Sequence, residues 1–324
     1  MATLSQPKSA SLSVNGLRIH YLDWGQAGAS PVVCVHGYTS SAQAFNAPAR
    51  HFMDRFHVIA PDVRGHGESA WSPTGSYQYG DQVSDLAGIV EQLGLPRFTL
   101  IGTSMGGIIA MAYAGAYPDR LLRLVINDIG PDVEAGTQRI TQTVGSRPDE
   151  FATLEDAMAY RRQVSPVVAG RSKEDQRELA LGVLRPRPDG RWTWKMDPAY
   201  IEQCVRQGPP PRPTLWPVLE RMTCPTLVVW GTDSDVLSES QARRMTQRCR
   251  RDSLSRCRES GTLRRSWSRS SAPRWNAFWE GRGRAHELTS SAVRSRRHAD
   301  RFEAGHRALL QARAREPRET VSTG

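Results

Sequence analysis

The chain contains 324 residues, 39% of them hydrophobic, and carries a formal net charge of +10. This length allows one large α/β domain with an insertion, or two smaller domains, around a sizeable core. No run approaches the about 18 to 20 consecutive apolar residues of a membrane-spanning helix, and residues 1–12 lack the basic and apolar regions of a signal peptide, so we expect a cytoplasmic protein without a membrane partner. The five cysteines have no metal-ligand spacing, so we expect no metal site.

The positive charge is confined to the last quarter of the chain. Residues 248–324 contain 19 arginines, no lysine and 8 acidic residues, a net charge of +11, which leaves −1 for residues 1–247. A nucleic-acid-binding arm would be expected to mix lysine with arginine in a pattern. We therefore expect no nucleic-acid partner.

Short apolar runs alternate with amphipathic segments over the first 130 residues, and one more apolar run follows near residue 226. Ser11–Val14 and Leu17–Leu22 flank Asn15-Gly16, a pair suited to a tight hairpin turn. Further strands are predicted at Val32–Val35, Val58–Ala60, Phe98–Ile101, Leu122–Ile126 and Thr226–Trp230. Amphipathic segments such as Asp81–Leu93 and Gly107–Tyr117 separate these runs. The pattern predicts an α/β fold with a mostly parallel, doubly wound sheet.

The strand pattern stops between Pro131 and Met222. Helices are predicted there at Phe151–Val164, Lys173–Val183 and Pro198–Gln207. We interpret residues 1–130 as the first part of the core, 131–222 as an inserted helical cap and 223–247 as the remainder of the core. Residues 248–324 have no helix or strand periodicity, and we expect that tail to be disordered.

One motif carries a nucleophile. The strand Phe98–Ile101 leads into Gly102-Thr103-Ser104-Met105-Gly106, and a helix follows. A G-x-S-x-G sequence in this strand-to-helix context places the serine on a sharp turn, with the N–H groups of the helix N-terminus facing developing negative charge. Ser104 is therefore the predicted catalytic nucleophile.

Two further loops extend the pattern. His36-Gly37 follows the strand Val32–Val35, and Asp62-Val63-Arg64-Gly65-His66-Gly67-Glu68-Ser69 follows the next strand. Together with the serine turn they resemble the α/β-hydrolase superfamily, in an esterase-like branch with an inserted cap, over residues 11–247. The resemblance implies an oxyanion hole formed by the backbone N–H groups of Tyr38 and Met105. It also implies structural roles for His36, Asp62 and Arg64, a catalytic base nearer the C-terminus than His66, and no cofactor.

The catalytic acid is expected after the strand Thr226–Trp230, because the order in this superfamily is serine, acid, histidine. The loop there offers two carboxylates. Asp235 better matches the esterase-like pattern of Ser-Asp, an apolar residue and Leu, and Asp233 is the alternative. Asp128, after the preceding strand, is a third candidate whose other role would be to cap its turn.

No histidine stands where the base belongs. His286, His298 and His306 lie in aperiodic, arginine-rich sequence, and no histidine separates Asp235 from His286. We therefore identify no catalytic histidine in this reading frame, and we expect the chain in this frame (the printed chain) to be inactive or impaired.

A frameshift near Gln247 would explain both the missing histidine and the arginine-rich tail, because shifted codons of a GC-rich gene overproduce arginine, serine, alanine and glycine. Each shifted codon joins the third base of one residue to the first two bases of the next. Trp275-Asn276 must then give Glu and Phe278-Trp279 must give Leu. Residues 257–269 can read Val-Pro-Gly-Ile-Gly-His-Ala-Pro-Thr-Leu-Val-Glu-Pro, with the histidine where Thr262 stands, although that position also allows Asp, Asn or Tyr.

These observations favour a serine hydrolase acting on an ester-like small molecule. Related dehalogenases and epoxide hydrolases require Asp at the position of Ser104. The alternative is a non-catalytic small-molecule binder on the same fold. Substrate specificity is expected in the cap, where Arg161 and Arg162 either receive an acidic substrate or are solvated. Aromatic and methionine side chains there either line a pocket or pack the cap on the body: Met158, Tyr160, Trp192, Trp194, Tyr200 and Trp216. The oligomeric state is left open.

Overall fold

The computed structural model describes residues 5–231, 234–249 and 257–258. The strands are β1 (Lys8–Val14), β2 (Leu17–Trp24), β3 (Ser30–Val35), β4 (Phe56–Pro61), β5 (Phe98–Thr103), β6 (Leu121–Asn127), β7 (Glu150–Phe151), β8 (Leu184–Pro186), β9 (Trp192–Trp194), β10 (Thr226–Trp230) and β11 (Cys257–Arg258). The α-helices are α1 (Asn46–Phe52), α2 (Tyr79–Gln92), α3 (Met105–Ala116), α4 (Ala135–Gly145), α5 (Leu154–Val164), α6 (Pro166–Ala169), α7 (Lys173–Val183), α8 (Pro198–Gln207), α9 (Trp216–Arg221) and α10 (Glu239–Arg248).

The central sheet has the strand order β1-β2-β4-β3-β5-β6-β10-β11. β2 pairs antiparallel with β1 and β4, and the remaining pairs are parallel. Asn15 and Gly16 have φ angles of 50° and 76°, as the turn of a tight hairpin requires. The predicted mostly parallel α/β sheet is confirmed.

Both faces of the sheet are covered, and this is why its central strands are apolar throughout. On one face, Val33 and Val35 pack in a cluster with Leu86 of α2 and Ile108 of α3. On the other face, the intervening Val32 and Cys34 pack with Phe45, just before α1, and with Phe52, in α1. The alternation of a strand's side chains thus places successive residues of β3 in two separate cores.

The insertion between β6 and β10 forms a cap with its own small core. Its helices α7 and α8 coincide with two of the predicted helices, and α5 begins at Leu154, three residues later than predicted, because Phe151 lies in β7. The structure adds a small antiparallel sheet in the order β7-β9-β8, which was not predicted. Its strands are only two or three residues long, too short for a recognisable alternation. At the end of the insertion, α9 packs on α3, and its Leu219 belongs to the main core.

The edge of β10 differs from expectation. The lack of strand periodicity after residue 247 predicts that β10 has no neighbour beyond β6. In the structure β11 pairs parallel with β10, with Val229 opposite Cys257 and Trp230 opposite Arg258. The expectation of an unpaired β10 edge is therefore wrong. A strand of only two residues can pair with β10 but is too short to show a recognisable alternation in the sequence. Most of the tail that was expected to be disordered lies outside the described residues.

Within the described part of the chain, no helix combines the length and apolarity needed to cross a bilayer.

Candidate functional site

Ser104 lies at the turn between β5 and α3. Its φ and ψ angles are 51° and −119°, a left-handed backbone conformation that is rare for a residue with a side chain. Its N–H donates to the carbonyl oxygen of Asn127 at the end of β6 (2.9 Å), and its own carbonyl accepts from the N–H of Gly107 (2.7 Å). Such a strained position is maintained by the surrounding structure and is typical of functional sites.

Neighbouring glycines allow this turn to form. A Cβ on Gly106 would lie 2.2 Å from the carbonyl oxygen of Val35, and one on Gly102 would lie 2.2 Å from that of Gly106. A Cβ on Gly37 would be 3.3 Å from the Cβ of Ser104 and 3.9 Å from its Oγ. The backbone of the His36-Gly37 loop is therefore packed directly against the serine.

Of the two predicted oxyanion donors, Met105 follows Ser104 in the chain, whereas Tyr38 lies in the separate loop that packs against the serine. Met105 is the first residue of α3, so its N–H has no partner within the helix. Tyr38 follows Gly37, whose backbone touches Ser104. Among the hydrogen bonds of the described residues, none uses the N–H of Tyr38 or Met105 as its donor. Both N–H groups are thus available to a ligand near Ser104.

Beneath this loop, a buried aspartate ties together three segments. The carboxylate of Asp62 accepts from His20 Nδ1 (2.7 Å), from the N–H of Ala42 (2.7 Å) and from that of Glu68 (2.9 Å). Burial alone would raise its pKa, but the hydrogen bond from His20 and the other donors outweigh burial and keep the pKa below its usual range. These contacts agree with the structural role expected for Asp62.

Arg64 ties the same loop to α2. It is buried, and its Nε and Nη2 donate to the two carboxylate oxygens of Asp85 at 2.6 and 2.7 Å. Burial acts to lower the pKa of Arg64, but the hydrogen bonds and charge of Asp85 raise it above its ordinary value. This bidentate, desolvated pair fixes the loop rather than facing a substrate.

Two histidines of the loops around the serine, His36 and His66, are engaged with the backbone. His36 Nδ1 donates to the carbonyl oxygen of Gly37 (2.8 Å), and its Nε2 accepts from the N–H of Val63 (2.9 Å). The ring nitrogens of His66 face the carbonyl oxygens of Arg64 and Tyr38. Burial, reinforced by His36, lowers the pKa of His66 to about 4. Neither ring offers Ser104 a proton acceptor.

The acid side of the site is built differently. Asp235 lies in the loop after β10, and its carboxylate accepts from Arg139 of α4 at 2.5 and 2.9 Å. Both side chains are nearly half exposed. Asp128, after β6, has a φ of 54° and accepts from the N–H of Gly231, and burial raises its pKa. Asp233 lies outside the described residues, as do His286, His298, His306 and Thr262.

The cap covers the site with aromatic side chains. The ring of Tyr200 on α8 stacks on Tyr77 at 4.3 Å between centroids, and its hydroxyl lies 3.6 Å from the sulfur of Met105. Tyr77 in turn donates to Asp197, which caps α8. Sequence reasoning missed Tyr77 and Asp197, because a contact between residues 120 positions apart leaves no local signal. Tyr200 is the one predicted pocket residue that we find in contact with the site within the described structure.

The other cap residues singled out from the sequence have different neighbours. Four of them belong to the cap's own core: Met158, Tyr160, Trp192 and Trp194. Trp216 packs against the main core and donates to Asp132 (2.7 Å). Arg162 pairs with Glu155 at the surface (3.0 Å), whereas Arg161 donates to the carbonyl oxygen of Leu179 within the cap (2.5 Å).

A family model described as the alpha/beta hydrolase fold matches residues 30–261. The chain belongs to the alpha/beta hydrolase family. A 3-hydroxybutyrate-oligomer hydrolase from Cupriavidus necator is 31% identical over 241 residues, covering 71% of this chain and 82% of the relative. A Bacillus subtilis protein named as a 2-succinyl-6-hydroxy-2,4-cyclohexadiene-1-carboxylate synthase is 30% identical, covering 67% of this chain and 78% of the relative.

Solved structures of other alpha/beta hydrolases are similar to this one. A crystal structure from Novosphingobium aromaticivorans shares 28% sequence identity with a TM-score of 0.74, and the match covers 86% of this chain and 99% of that one. Together with the relatives, this places the chain in an enzyme family whose named members are hydrolases and related enzymes. The resemblance to alpha/beta hydrolases inferred from the sequence motifs is confirmed.

Proposed function

We propose that this chain carries the site of a serine hydrolase for ester-like small molecules, with Ser104 as the nucleophile. The observation that carries the proposal is the left-handed backbone at Ser104 between β5 and α3, with the Gly37 backbone against its side chain. A serine in this setting places its hydroxyl beside two N–H groups that have no partner among the described residues, those of Tyr38 and Met105. These are the components that acyl transfer requires.

In this mechanism the Oγ of Ser104 attacks the carbonyl carbon of the ester. The carbonyl oxygen becomes an oxyanion and accepts hydrogen bonds from the N–H groups of Tyr38 and Met105. A histidine takes the serine proton and delivers it to the departing alkoxide, and Asp235, or alternatively Asp233, orients that histidine. Water then hydrolyses the acyl-serine by the same steps in reverse order.

The histidine is the component that this chain lacks in the part described. His36 and His66 are bonded to backbone groups, and His20 is bonded to Asp62. We therefore propose that the printed chain is impaired, and that a one-base restoration near codon 247 supplies a histidine at the position of Thr262. We retain a cytoplasmic location and a small-molecule substrate as parts of the proposal.

The relatives support an ester as the substrate. The Cupriavidus necator protein is named as a hydrolase of 3-hydroxybutyrate oligomers, and hydroxy acids oligomerise through ester bonds. We propose a small hydroxy-acid ester as the first substrate class to examine. The aromatic contacts of Tyr200 and Tyr77 above Met105 would surround its apolar portion.

The test compares the printed chain with a protein whose reading frame is restored by one base at codon 247. We expect a fluorophosphonate probe to label the restored protein at Ser104, and p-nitrophenyl butyrate to be hydrolysed. Ser104→Ala in the restored protein is the control and should lose both. The printed chain should turn over about 10⁴ to 10⁶ times more slowly, as when one triad member is lost.

Two outcomes would contradict the proposal. A fast, Ser104-dependent burst from the printed chain would mean that it holds a base outside the described residues. A restored protein that binds esters but neither labels nor hydrolyses would favour the alternative, a non-catalytic binder on this fold.

A further inference from the structure

Two arginines of the cap are buried or partly buried and have no carboxylate partner among the described residues. Arg147, which follows α4, is only 9% exposed, and its guanidinium lies 4.2 Å from the centroid of the Trp194 ring. Arg161 on α5 is partly buried and donates to the carbonyl oxygen of Leu179. Within the part of the chain that the structure describes, neither arginine forms an ion pair, whereas Arg162, next to Arg161, pairs with Glu155.

Arg147 adjoins the candidate site. Two residues before it, Gly145 packs against Val205 of α8, where a Cβ would lie 2.5 Å from a valine methyl. On the same helix, Tyr200 contacts the sulfur of Met105, and its ring centroid lies 5.3 Å from that of Tyr38. The charge of Arg147 also acts on the hydroxyl of Tyr38. Arg147 is thus positioned between the aromatic core of the cap and the wall of the serine site.

The cap leaves this positive charge largely uncompensated. Burial lowers the pKa of Arg147 to about 10, so the guanidinium stays charged at neutral pH. Burial also lowers the pKa of Arg161 to about 10, and the charges of Arg147 and Arg171 add to the effect. A buried charge is costly unless a counter-charge accompanies it. Among the described residues, the exposed Asp149 acts on Arg147 only from beyond ion-pair distance, so no carboxylate there neutralises the guanidinium directly.

Resting on the proposed hydrolase function, we propose that Arg147, supported by Arg161, binds a carboxylate of the substrate, so that the site takes esters that carry a free carboxylate. A guanidinium presents two parallel N–H groups that match the two oxygens of a planar carboxylate. The Trp194 ring beneath it holds the guanidinium plane and excludes water, which strengthens that interaction.

The test measures binding and therefore needs no catalytic base. Monomethyl glutarate and dimethyl glutarate are titrated into the printed chain by calorimetry. We expect the charged monoester to bind about tenfold more tightly or better, as a charge-assisted pair in a desolvated site allows. Arg147→Gln should reduce this preference to less than about twofold, and Arg161→Gln should reduce it by a smaller factor. Arg162→Gln, a change in a partly exposed neighbour that already pairs with Glu155, is the matched control and should retain this preference.

Stability provides a second readout that does not depend on a ligand. Because Arg147 has no ion-pair partner among the described residues, Arg147→Met should melt at the temperature of the unchanged chain or about 2 to 4 °C above it. A melting temperature lower by more than about 4 °C would indicate a structural pairing and overturn the proposal.

Three binding results would also overturn the proposed carboxylate subsite. Equal binding of the two glutarate esters, or a preference that survives Arg147→Gln, would remove the carboxylate subsite. Tighter binding of methyl phosphate than of monomethyl glutarate would overturn the carboxylate in favour of a phosphate. Failure of Ser104 to react with fluorophosphonate in the restored protein concerns the hydrolase function alone, so the two failures are distinguishable.

Discussion

The two sides of the serine site differ in burial and in the number of bonds that hold their residues. On the nucleophile side, Asp62 and Arg64 are buried and bonded to several partners, and they hold the loops beneath Ser104. On the acid side, the carboxylate of Asp235 is nearly half exposed and pairs with Arg139, an arginine of the cap. In the proposed mechanism, the serine and the oxyanion donors are therefore positioned by residues before 130, whereas proton transfer would use the more exposed loop of Asp235. The difference predicts that changes on the acid side can abolish the proposed activity while the geometry of Ser104 is retained.

The largest effect is expected from the acid side in the frame-restored protein. Asp235→Asn should lower kcat by about 10⁴, because the base then loses its orienting carboxylate, and Asp128→Asn should lower it far less. Steady-state kinetics on p-nitrophenyl butyrate measure both, with Asp233→Asn as the matched control. A loss at Asp233 with little change at Asp235 would reverse the assignment of the acid and leave the function unchanged.

On the nucleophile side, the largest effect concerns stability. Arg64→Met leaves the carboxylate of Asp85 buried without its bidentate partner, and should lower the free energy of unfolding by about 3 to 5 kcal/mol. Urea denaturation of the printed chain measures this. The control is Arg187→Met, because Arg187 lies at the surface of the cap beside Glu150 and should change stability by less than about 1 kcal/mol. Equal losses would mean that the Arg64 pair contributes no more than a surface pair.

Whether a structural feature could be predicted from the sequence depends on how far apart the contacting residues lie along the chain. The hairpin at Asn15-Gly16, the strand β5 and the turn at Ser104 are set by neighbours in the chain, and all were predicted. The small cap sheet and the burial of Arg147 arise from contacts between segments far apart in sequence. Burial of a charged residue is also unusual enough that composition predicts the opposite. Asp235 was selected by its loop pattern, but its bond to Arg139 required the fold.

The histidine on the nucleophile side predicts a pH dependence of stability. Because burial lowers the pKa of His66 to about 4, well below the usual value of about 6.5, the folded state excludes a proton that the unfolded chain binds. His66 therefore contributes stability that is fully present above about pH 6.5 and is lost as the pH falls towards 4, with a loss of about 2 kcal/mol by pH 5.

Urea denaturation at pH 7 and pH 5 measures this contribution. His66→Asn should flatten the difference between the two pH values, and His51→Asn, at an exposed position of α1, should leave it unchanged. If His66→Asn leaves the full pH dependence in place, another group causes it. The pKa of Asp62, which is depressed in the folded state, adds a loss only at lower pH, as the pH falls below about 4 and through its folded value.

The smallest effect on stability is expected at Arg139, and it bears most directly on the acid side. Arg139 and Asp235 form a bidentate pair, but both are nearly half exposed, so water and salt screen their attraction. Arg139→Gln should therefore change the free energy of unfolding by less than about 1 kcal/mol in urea denaturation.

In the frame-restored protein, the effect of Arg139→Gln on kcat should show which group the carboxylate of Asp235 interacts with during catalysis. If Asp235 orients a histidine, Arg139 competes for its carboxylate, and removing Arg139 should leave kcat unchanged or raise it. If Arg139 instead holds Asp235 in its working position, kcat should fall, and Arg139→Lys should restore part of it because a lysine can still donate to one carboxylate oxygen.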